Sequence, residues 1–87
     1  MTTFTAKIID PVGLHARPAS ITVTIASKFT SDIKIISNGK TGNLKSIMNI
    51  MALGVKGGQE ITIEATGADE EEAIKTIKEE MQKNNLI

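Results

Sequence analysis

The sequence predicts an α+β fold, a two-layer sandwich formed by one domain that spans residues 1–87. Two observations predict it. Short segments alternate apolar and polar residues, as strands with one buried face do, and segments with helical spacing of apolar residues lie between them. The order of the segments is β-α-β-β-α-β-α. Helices that each bury one apolar face must then pack on one side of the strands.

Four segments are predicted as strands. Residues 3–9 and 60–66 each alternate apolar and polar residues, which is typical of half-buried strands, and residues 32–37 form a further strand. Residues 40–43 form a hairpin with residues 32–37, because the intervening Asn38-Gly39 accepts the positive φ values of a tight primed turn. The residues expected to face the core are Phe4, Ala6, Ile8, Ile61, Ile63 and Ala65.

Residues 16–29 give conflicting signals. The β-branched run ITVTI at 21–25 favours a strand. In contrast, Pro18 suits the first turn of a helix, where its missing N–H costs nothing. In a helix, Ala19, Val23 and Ala26 would share one face. Together these signals favour a helix over a strand by a narrow margin.

Two further helices follow along the chain. Ser46 is a good N-cap for a short helix, SIMNIMAL, which Gly54 ends. The last helix is the clearest element, since Asp69 can cap it, with Glu72 three residues later in a variant of the capping box. Its predicted inward stripe consists of Ala73, Ile74, Ile77 and Met81.

The composition excludes several classes of function. The chain has no cysteine, which removes disulfides, thiolate metal sites and cysteine nucleophiles. We expect neither a metal nor a cofactor. No apolar run approaches the ~18 residues of a membrane span, and the first residues lack the layout of a secretion signal. We therefore expect a cytoplasmic protein that is not inserted into a membrane.

The charges balance overall but are unevenly placed. Residues 1–68 hold seven Lys or Arg against four Asp or Glu, whereas residues 69–87 hold three against six. An excess of three positive charges is too small for a nucleic-acid interface, which needs a dense basic stripe. We expect no nucleic-acid partner, and we interpret the acidic end as the solvated face of the last helix.

The candidate site is GLHARPAS at 13–20, which contains the only His and the only Arg of the chain. If a helix begins near Ala16, its first backbone N–H groups are unpaired and carry partial positive charge. Arg17 adds a guanidinium suited to phosphate oxygens, and a neutral His15 imidazole can attack phosphorus. The residues alone therefore indicate an anion-binding site with a candidate nucleophile.

GLHARPAS resembles the active-site signature of the HPr family, the histidine-containing phosphocarriers of the bacterial phosphoenolpyruvate-dependent sugar phosphotransferase system. NLKSIMNIMALGV at 43–55 is similar to the segment that bears the regulatory serine of that family, and the resemblance extends over the whole chain. It implies an open-faced sandwich, in which three helices cover one face of a four-stranded antiparallel sheet and residues 16–27 are helical. It also implies a phosphoryl carrier rather than an enzyme, and we expect a monomer.

The resemblance implies roles for individual residues. His15 would accept a phosphoryl group on Nδ1 from enzyme I and pass it to enzyme IIA proteins. Arg17 and the backbone amides of Ala16 and Arg17 would stabilise the phosphate. Many members have a Ser or Asn at position 12 that can contact the imidazole or cap the helix, and Val12 here cannot. Ser46 aligns with the residue that the HPr kinase/phosphorylase modifies in many Gram-positive relatives, which adds that kinase as a potential partner.

The helix after Ser46 is too apolar to be buried on every side, because a helix on a sheet buries one face. Ile50 and Leu53 are the predicted core residues. Methionine adapts its shape, which suits a surface that meets several partners. The predicted partner-docking patch, beside the His15 loop, consists of Ser20, Ile47, Met48 and Met51.

Three other interpretations have less support. An acylphosphatase-like hydrolase would also place an Arg at a phosphate cradle, but the Asn motif that positions water in such enzymes is absent around Arg17. A regulator that acts only through phosphorylated Ser46 would lack the active-site histidine, whereas His15 is present. Metal transport by a ferredoxin-like domain fails because the chain has no cysteine and no second histidine.

Overall fold

The computed structural model describes all 87 residues and has the predicted architecture. Three helices cover one face of an open antiparallel sheet, and one core of 19 buried apolar residues lies between the layers. None of the helices has the length and apolar character that crossing a lipid bilayer requires. The elements are β1 (Thr2–Lys7), α1 (Ala16–Ala26), β2 (Asp32–Ser37), β3 (Lys40–Asn43), α2 (Ile47–Leu53), β4 (Glu60–Thr66) and α3 (Glu70–Lys83). The strand order is β1-β4-β2-β3.

The sheet buries one face because apolar residues alternate with polar ones along its strands. The turn between β2 and β3 has positive φ at Asn38 (51°) and Gly39 (74°), as the predicted primed turn requires. β1 covers Thr2–Lys7 instead of 3–9, although the Ile8 amide beyond its end still donates to the Gln59 carbonyl (2.9 Å). The buried apolar side chains of the strands are Phe4, Ile33, Ile35, Ile61, Ile63 and Ala65, and Ala6 is half-buried.

Helix α1 forms in spite of its β-branched run. The hydroxyls of Thr22 and Thr24 donate to the carbonyls of Pro18 (2.8 Å) and Ser20 (2.9 Å) one turn earlier, which satisfies both polar groups within the helix. Packing of the buried face then outweighs a weak local preference for a strand. The buried residues of α1 are Pro18, Ala19, Thr22, Ile25 and Ala26, whereas Val23 of the predicted face is only half-buried.

Helix α2 begins and ends where the sequence predicts. The Oγ atom of Ser46 accepts a hydrogen bond from the Asn49 amide (3.2 Å), so Ser46 is the N-cap. Gly54 ends the helix in the left-handed conformation, with φ of 64°. Ile50 is fully buried and Leu53 half-buried against the core, which confirms the two predicted core positions.

Helix α3 has the predicted inward stripe, but its predicted capping box is wrong. The Asp69 side chain makes no bond to the amides of its own helix, and Glu72 is exposed. The Asp69 carboxylate turns instead to the segment before β2, where it accepts hydrogen bonds from the Thr30 amide (2.9 Å), the Ser31 amide (2.9 Å) and the Ser31 hydroxyl. The buried residues of α3 are Ala73, Ile74, Ile77 and Met81, as expected.

The bonds to Asp69 make stability depend on pH at the acid end. They lower the pKa of Asp69 from 3.8 to about 2, with the Ser31 hydroxyl and the Thr30 amide as the main causes. The unfolded chain therefore binds this proton more tightly than the folded one. The stabilisation is complete well above pH 3.8 and is lost as the pH falls through about 2. Glu70, whose pKa the Thr2 hydroxyl helps to lower to about 2, acts in the same direction.

We expect the Asp69→Asn variant to have a lower free energy of unfolding than the wild type at neutral pH, and to lose less of it on acidification to about pH 2. Asn keeps one acceptor oxygen but has no charge to lose. Urea unfolding followed by circular dichroism measures both differences, since the chain has no Trp or Tyr. Asp32→Asn, at an exposed carboxylate, is the control. Parallel pH profiles for Asp69→Asn and the wild type would contradict this expectation.

The carboxyl end of α3 turns back toward the segment before α1. A Schellman motif closes the helix: Asn85 is left-handed (φ 60°), and the Leu86 amide donates to the Met81 carbonyl (2.9 Å). The Leu86 carbonyl then accepts a hydrogen bond from the Ile9 amide (2.9 Å). The last residues therefore lie beside the loop that leads into α1.

Candidate functional site

Helix α1 begins with two backbone amides that have no partner. His15 is the N-cap, and its carbonyl accepts the first helical hydrogen bond from the Ala19 amide (3.0 Å). Pro18 has no N–H, and the amides of Ala16 and Arg17 donate to no acceptor in the protein. This end of α1 therefore presents two free donors together with the positive end of the helix dipole.

His15 and Arg17 line the same surface depression, which has a volume of about 190 Å³. The His15 side chain is 39% exposed, and its Nε2 atom lies 3.8 Å from an oxygen of Asp10. Arg17 is exposed and has no carboxylate partner, because the two ion pairs of the chain involve other cations. A free guanidinium beside two free amides can hold a phosphate-like anion against the imidazole.

Close backbone contacts position the loop before α1. The Leu14 amide donates to the Val55 carbonyl (3.0 Å), just after α2. Gly13 has φ of 85°, and a Cβ atom there would lie 2.2 Å from the Val55 oxygen. At Gly57, a Cβ atom would lie 2.6 Å from the Asp10 carbonyl oxygen. The two glycines let the loop before α1 and the loop after α2 touch, and this contact holds the backbone that leads into His15.

Several residues that line the depression were not predicted from the sequence. The Oδ1 atom of Asp10 accepts a hydrogen bond from the Val12 amide (3.0 Å), which forms an Asx turn. An Asp at the start of a loop is a known signal for such a turn. Asn84 and Leu86 arrive from the end of α3. The Asn-Asn-Leu sequence after a long amphipathic helix could have indicated this, since Asn tolerates the left-handed conformation of a helix cap that turns the chain back. Ile21 of α1 completes the lining.

The other predicted site residues lie outside the depression. Ser46 is half-buried at the start of α2, and its Oγ atom also accepts a hydrogen bond from the Asn49 side-chain amide (3.1 Å). Helix α2 packs on α1 and is followed by Val55, so its surface adjoins the loop before α1. The predicted docking residues are all exposed: Ser20, Ile47 (41%), Met48 (82%) and Met51 (44%).

A larger depression, of about 240 Å³, lies between β2, β3 and the start of α2. It contains neither the histidine nor the arginine. Its two asparagines are already engaged, since Asn43 accepts a hydrogen bond from the Lys45 amide (2.9 Å) and Asn49 accepts one from the Asn43 amide (3.2 Å). No group of three or more His, Asp or Glu side chains anywhere in the chain is arranged to hold a metal ion. The depression at His15 is therefore the candidate site.

An open-faced sandwich with a lone imidazole beside free amides at a helix N-terminus is the arrangement expected of a small phosphocarrier. Residues 2–83 match the family model described as the PTS HPr component phosphorylation site. The chain belongs to the HPr family of the sugar phosphotransferase system. It is a phosphoprotein that carries phosphate for sugar transport and is not itself an enzyme.

Similar proteins agree in sequence and in structure. The phosphocarrier protein HPr of Mycoplasma capricolum subsp. capricolum is 58% identical over 87 residues, which cover 100% of this chain and 98% of that protein. A solved structure of a histidine-containing phosphocarrier protein from Mycoplasma matches with a TM-score of 0.96 and 57% identity, covering 99% of this chain and 98% of that one. The HPr dimer of Thermoanaerobacter tengcongensis matches with a TM-score of 0.76 and 45% identity, covering 97% of each chain. Because that similar protein is a dimer, the monomeric state expected here stays a prediction.

Proposed function

We propose that His15 is the residue that carries the phosphate. Its Nδ1 atom accepts a phosphoryl group from phosphorylated enzyme I, in the cytoplasm, and passes it to a histidine of enzyme IIA proteins. The observation that supports this most is the cluster of free donors around one imidazole, namely the amides of Ala16 and Arg17 and the Arg17 guanidinium. A phosphoryl group bound there would have its charge met by three donors and the helix dipole.

Transfer between two imidazoles depends mainly on positioning and charge neutralisation. The Nδ1 lone pair of His15 forms the new N–P bond as the N–P bond of the donor breaks, and the electron pair of that bond returns to the donor nitrogen. The phosphoryl oxygens face Arg17 and the free amides throughout. In the second transfer His15 is the donor, and the same groups release the phosphoryl group to the next imidazole.

Incubation of the full chain with labelled phosphoenolpyruvate and enzyme I tests the proposal. A carrier retains one phosphate per chain, and the label is lost in acid because a phosphohistidine is acid-labile. A hydrolase at the same site would instead release inorganic phosphate without retaining label. Absence of retained label with active enzyme I would overturn the proposal.

We also propose that the exposed side chains of α2 form the surface on which partners dock. Met48 is 82% exposed, and Ile47 and Met51 are each more than 40% exposed. An apolar side chain gains free energy when a partner covers it, and the flexible thioethers can adapt to differently shaped partners. Ser20 lies on α1, on which α2 packs, and the loop after α2 bonds to the loop before α1.

Ser46 is the proposed regulatory site, modified by an HPr kinase/phosphorylase. Its Oγ atom lies at the N-terminus of α2, where added phosphate oxygens would be near unpaired amides. Helix α2 is about 10 Å long, comparable to the Debye length of ~10 Å at 0.1 M salt. A charge at Ser46 would therefore be felt across the docking patch.

We expect Ser46→Asp to slow phosphoryl transfer from enzyme I roughly threefold or more at low salt, because the added charge repels acidic partners. The matched control is Ser46→Asn, since Asp and Asn are comparable N-caps and only Asp is charged. Initial labelling rates of both variants at low and high salt measure the effect. Equal rates for the two variants at low salt would show that charge at this position does not hinder docking.

A further inference from the structure

We propose that Asp10 is a positioning residue for His15, holding the imidazole in the tautomer that has its proton on Nε2. The Oδ2 atom of Asp10 lies 3.8 Å from Nε2. An ionised carboxylate can only accept hydrogen bonds, so it favours a ring nitrogen that carries a proton. The other ring nitrogen, Nδ1, is then left with a free lone pair. The expected effect of Asp10 on the rate of phosphoryl transfer rests on the function proposed for His15, whereas its effect on the tautomer does not.

The Asp10 carboxylate is held in place and is not a freely rotating surface group. Its side chain is only 23% exposed. The Oδ1 atom accepts a hydrogen bond from the Val12 amide (3.0 Å), which leaves Oδ2 to face the ring. The Asp10 carbonyl accepts a further hydrogen bond from the Gly13 amide (2.9 Å). One carboxylate oxygen therefore stabilises the loop, and the other faces the imidazole.

No other side chain that lines the depression carries a negative charge. The four residues between Asp10 and His15 are Pro, Val, Gly and Leu, none of which has a polar side chain. Among the residues that line the depression, Arg17 can only donate hydrogen bonds. The side-chain amide of Asn84 is bonded to the Glu80 carbonyl (2.8 Å). Asp10 is therefore the one anionic acceptor at this site.

The same contact also serves the transfer step. When the Nδ1 lone pair forms the N–P bond and the donor nitrogen takes back its electron pair, the Nε2 proton stays on the ring, which becomes cationic. A carboxylate near Nε2 stabilises that charge, as orienting carboxylates do for other reactive imidazoles. Contacts of this kind are commonly long before a reactive complex forms. The separation of 3.8 Å is compatible with that role.

Asp10→Asn is the sharpest test, because the substitution preserves the loop and reverses the hydrogen-bonding character. Asn can still accept from the Val12 amide on one atom while its NH₂ group donates toward the ring, which favours an unprotonated Nε2. Long-range ¹H–¹⁵N spectra report the tautomer without ambiguity, since the chain has one histidine. At about pH 9, where a free imidazole is neutral, we expect the ratio of Nε2–H to Nδ1–H to fall roughly three- to fivefold. The initial rate of labelling by enzyme I should also fall, because less of the reactive tautomer is present and because the cationic ring formed in the transfer loses its carboxylate partner.

Two further variants separate positioning from loop structure and from net charge. Asp10→Ser retains an acceptor for the Val12 amide but is too short to reach the ring, so it should lie between wild type and Asp10→Asn in both measurements. Asp32→Asn makes the same change in net charge at an exposed position away from His15 and should match the wild type. An unchanged tautomer ratio in Asp10→Asn overturns the proposal, as does a changed ratio with an unchanged labelling rate. If wild type itself takes up no label, the proposed function of His15 fails while the tautomer test still stands.

Discussion

The His15→Ala variant is expected to accept no acid-labile phosphate from enzyme I while keeping its fold. No other residue can form a phosphohistidine, since His15 is the only histidine of the chain. The fold should tolerate the change because the ring is partly exposed and makes no capping hydrogen bond. We expect the free energy of unfolding to change by less than about 0.5 kcal/mol.

Two measurements on the same sample decide the His15→Ala prediction. Labelling with phosphoenolpyruvate and enzyme I should fall from one phosphate per chain to background, and thermal melting by circular dichroism should superimpose on the wild type. Any remaining label is tested in acid, since a phosphoserine survives and a phosphohistidine does not. Acid-labile label on the variant would show that the carrier residue has been assigned wrongly.

The second large effect is expected at Gly13, from a single added methyl group. A Cβ atom there would lie 2.2 Å from the Val55 oxygen and 2.5 Å from the Lys56 Cα atom, both backbone atoms. The residue also has φ of 85°, which costs a non-glycine residue roughly 1–2 kcal/mol. Overpacking adds about 1–3 kcal/mol. We therefore expect Gly13→Ala to lower the free energy of unfolding by about 3 kcal/mol, and to slow labelling because the loop must move away from Val55.

Gly58→Ala is the matched control for Gly13→Ala. Gly58 has nearly the same φ, 88°, but an added Cβ atom would meet nothing within 4 Å. It should show only the conformational cost, roughly 1–2 kcal/mol. Urea unfolding of both variants gives the difference, which isolates the contact between the two loops. Equal destabilisation of both variants would mean that the loops separate at little cost.

The fold was predictable to the extent that local pattern decides it. The stripe of α3 and the alternation of β4 repeat over enough residues to specify which side is buried, and both predictions are confirmed. Helix α1 was ambiguous because its β-branched run favours a strand, and packing of the folded chain settles such conflicts. The role of Asp69 could not be predicted, because its partner Ser31 is 38 residues away in sequence.

The candidate site also has one part that the sequence could predict and one part that depends on the folded chain. His15 and Arg17 are adjacent in sequence to the helix start that gives them free amides, so a short motif was enough to find them. Asn84 and Leu86 reach the depression only because a Schellman motif turns the chain back at the end of α3. Asp10 is close in sequence, but its proximity to Nε2 depends on how the loop rests on the residues after α2.

The contact between the two loops, at Gly13 and Gly57, has a consequence for how this family can diversify. Main-chain contacts hold the loop that carries His15, and Asp10 faces its ring, whereas Val12 of the loop and Met48 of α2 face outward, at 67% and 82% exposure. Substitution of those outward side chains changes what a partner meets without moving the imidazole. The choice of partner can therefore change, by evolution or by design, without a change in the position of His15. The same small fold can then serve new partners.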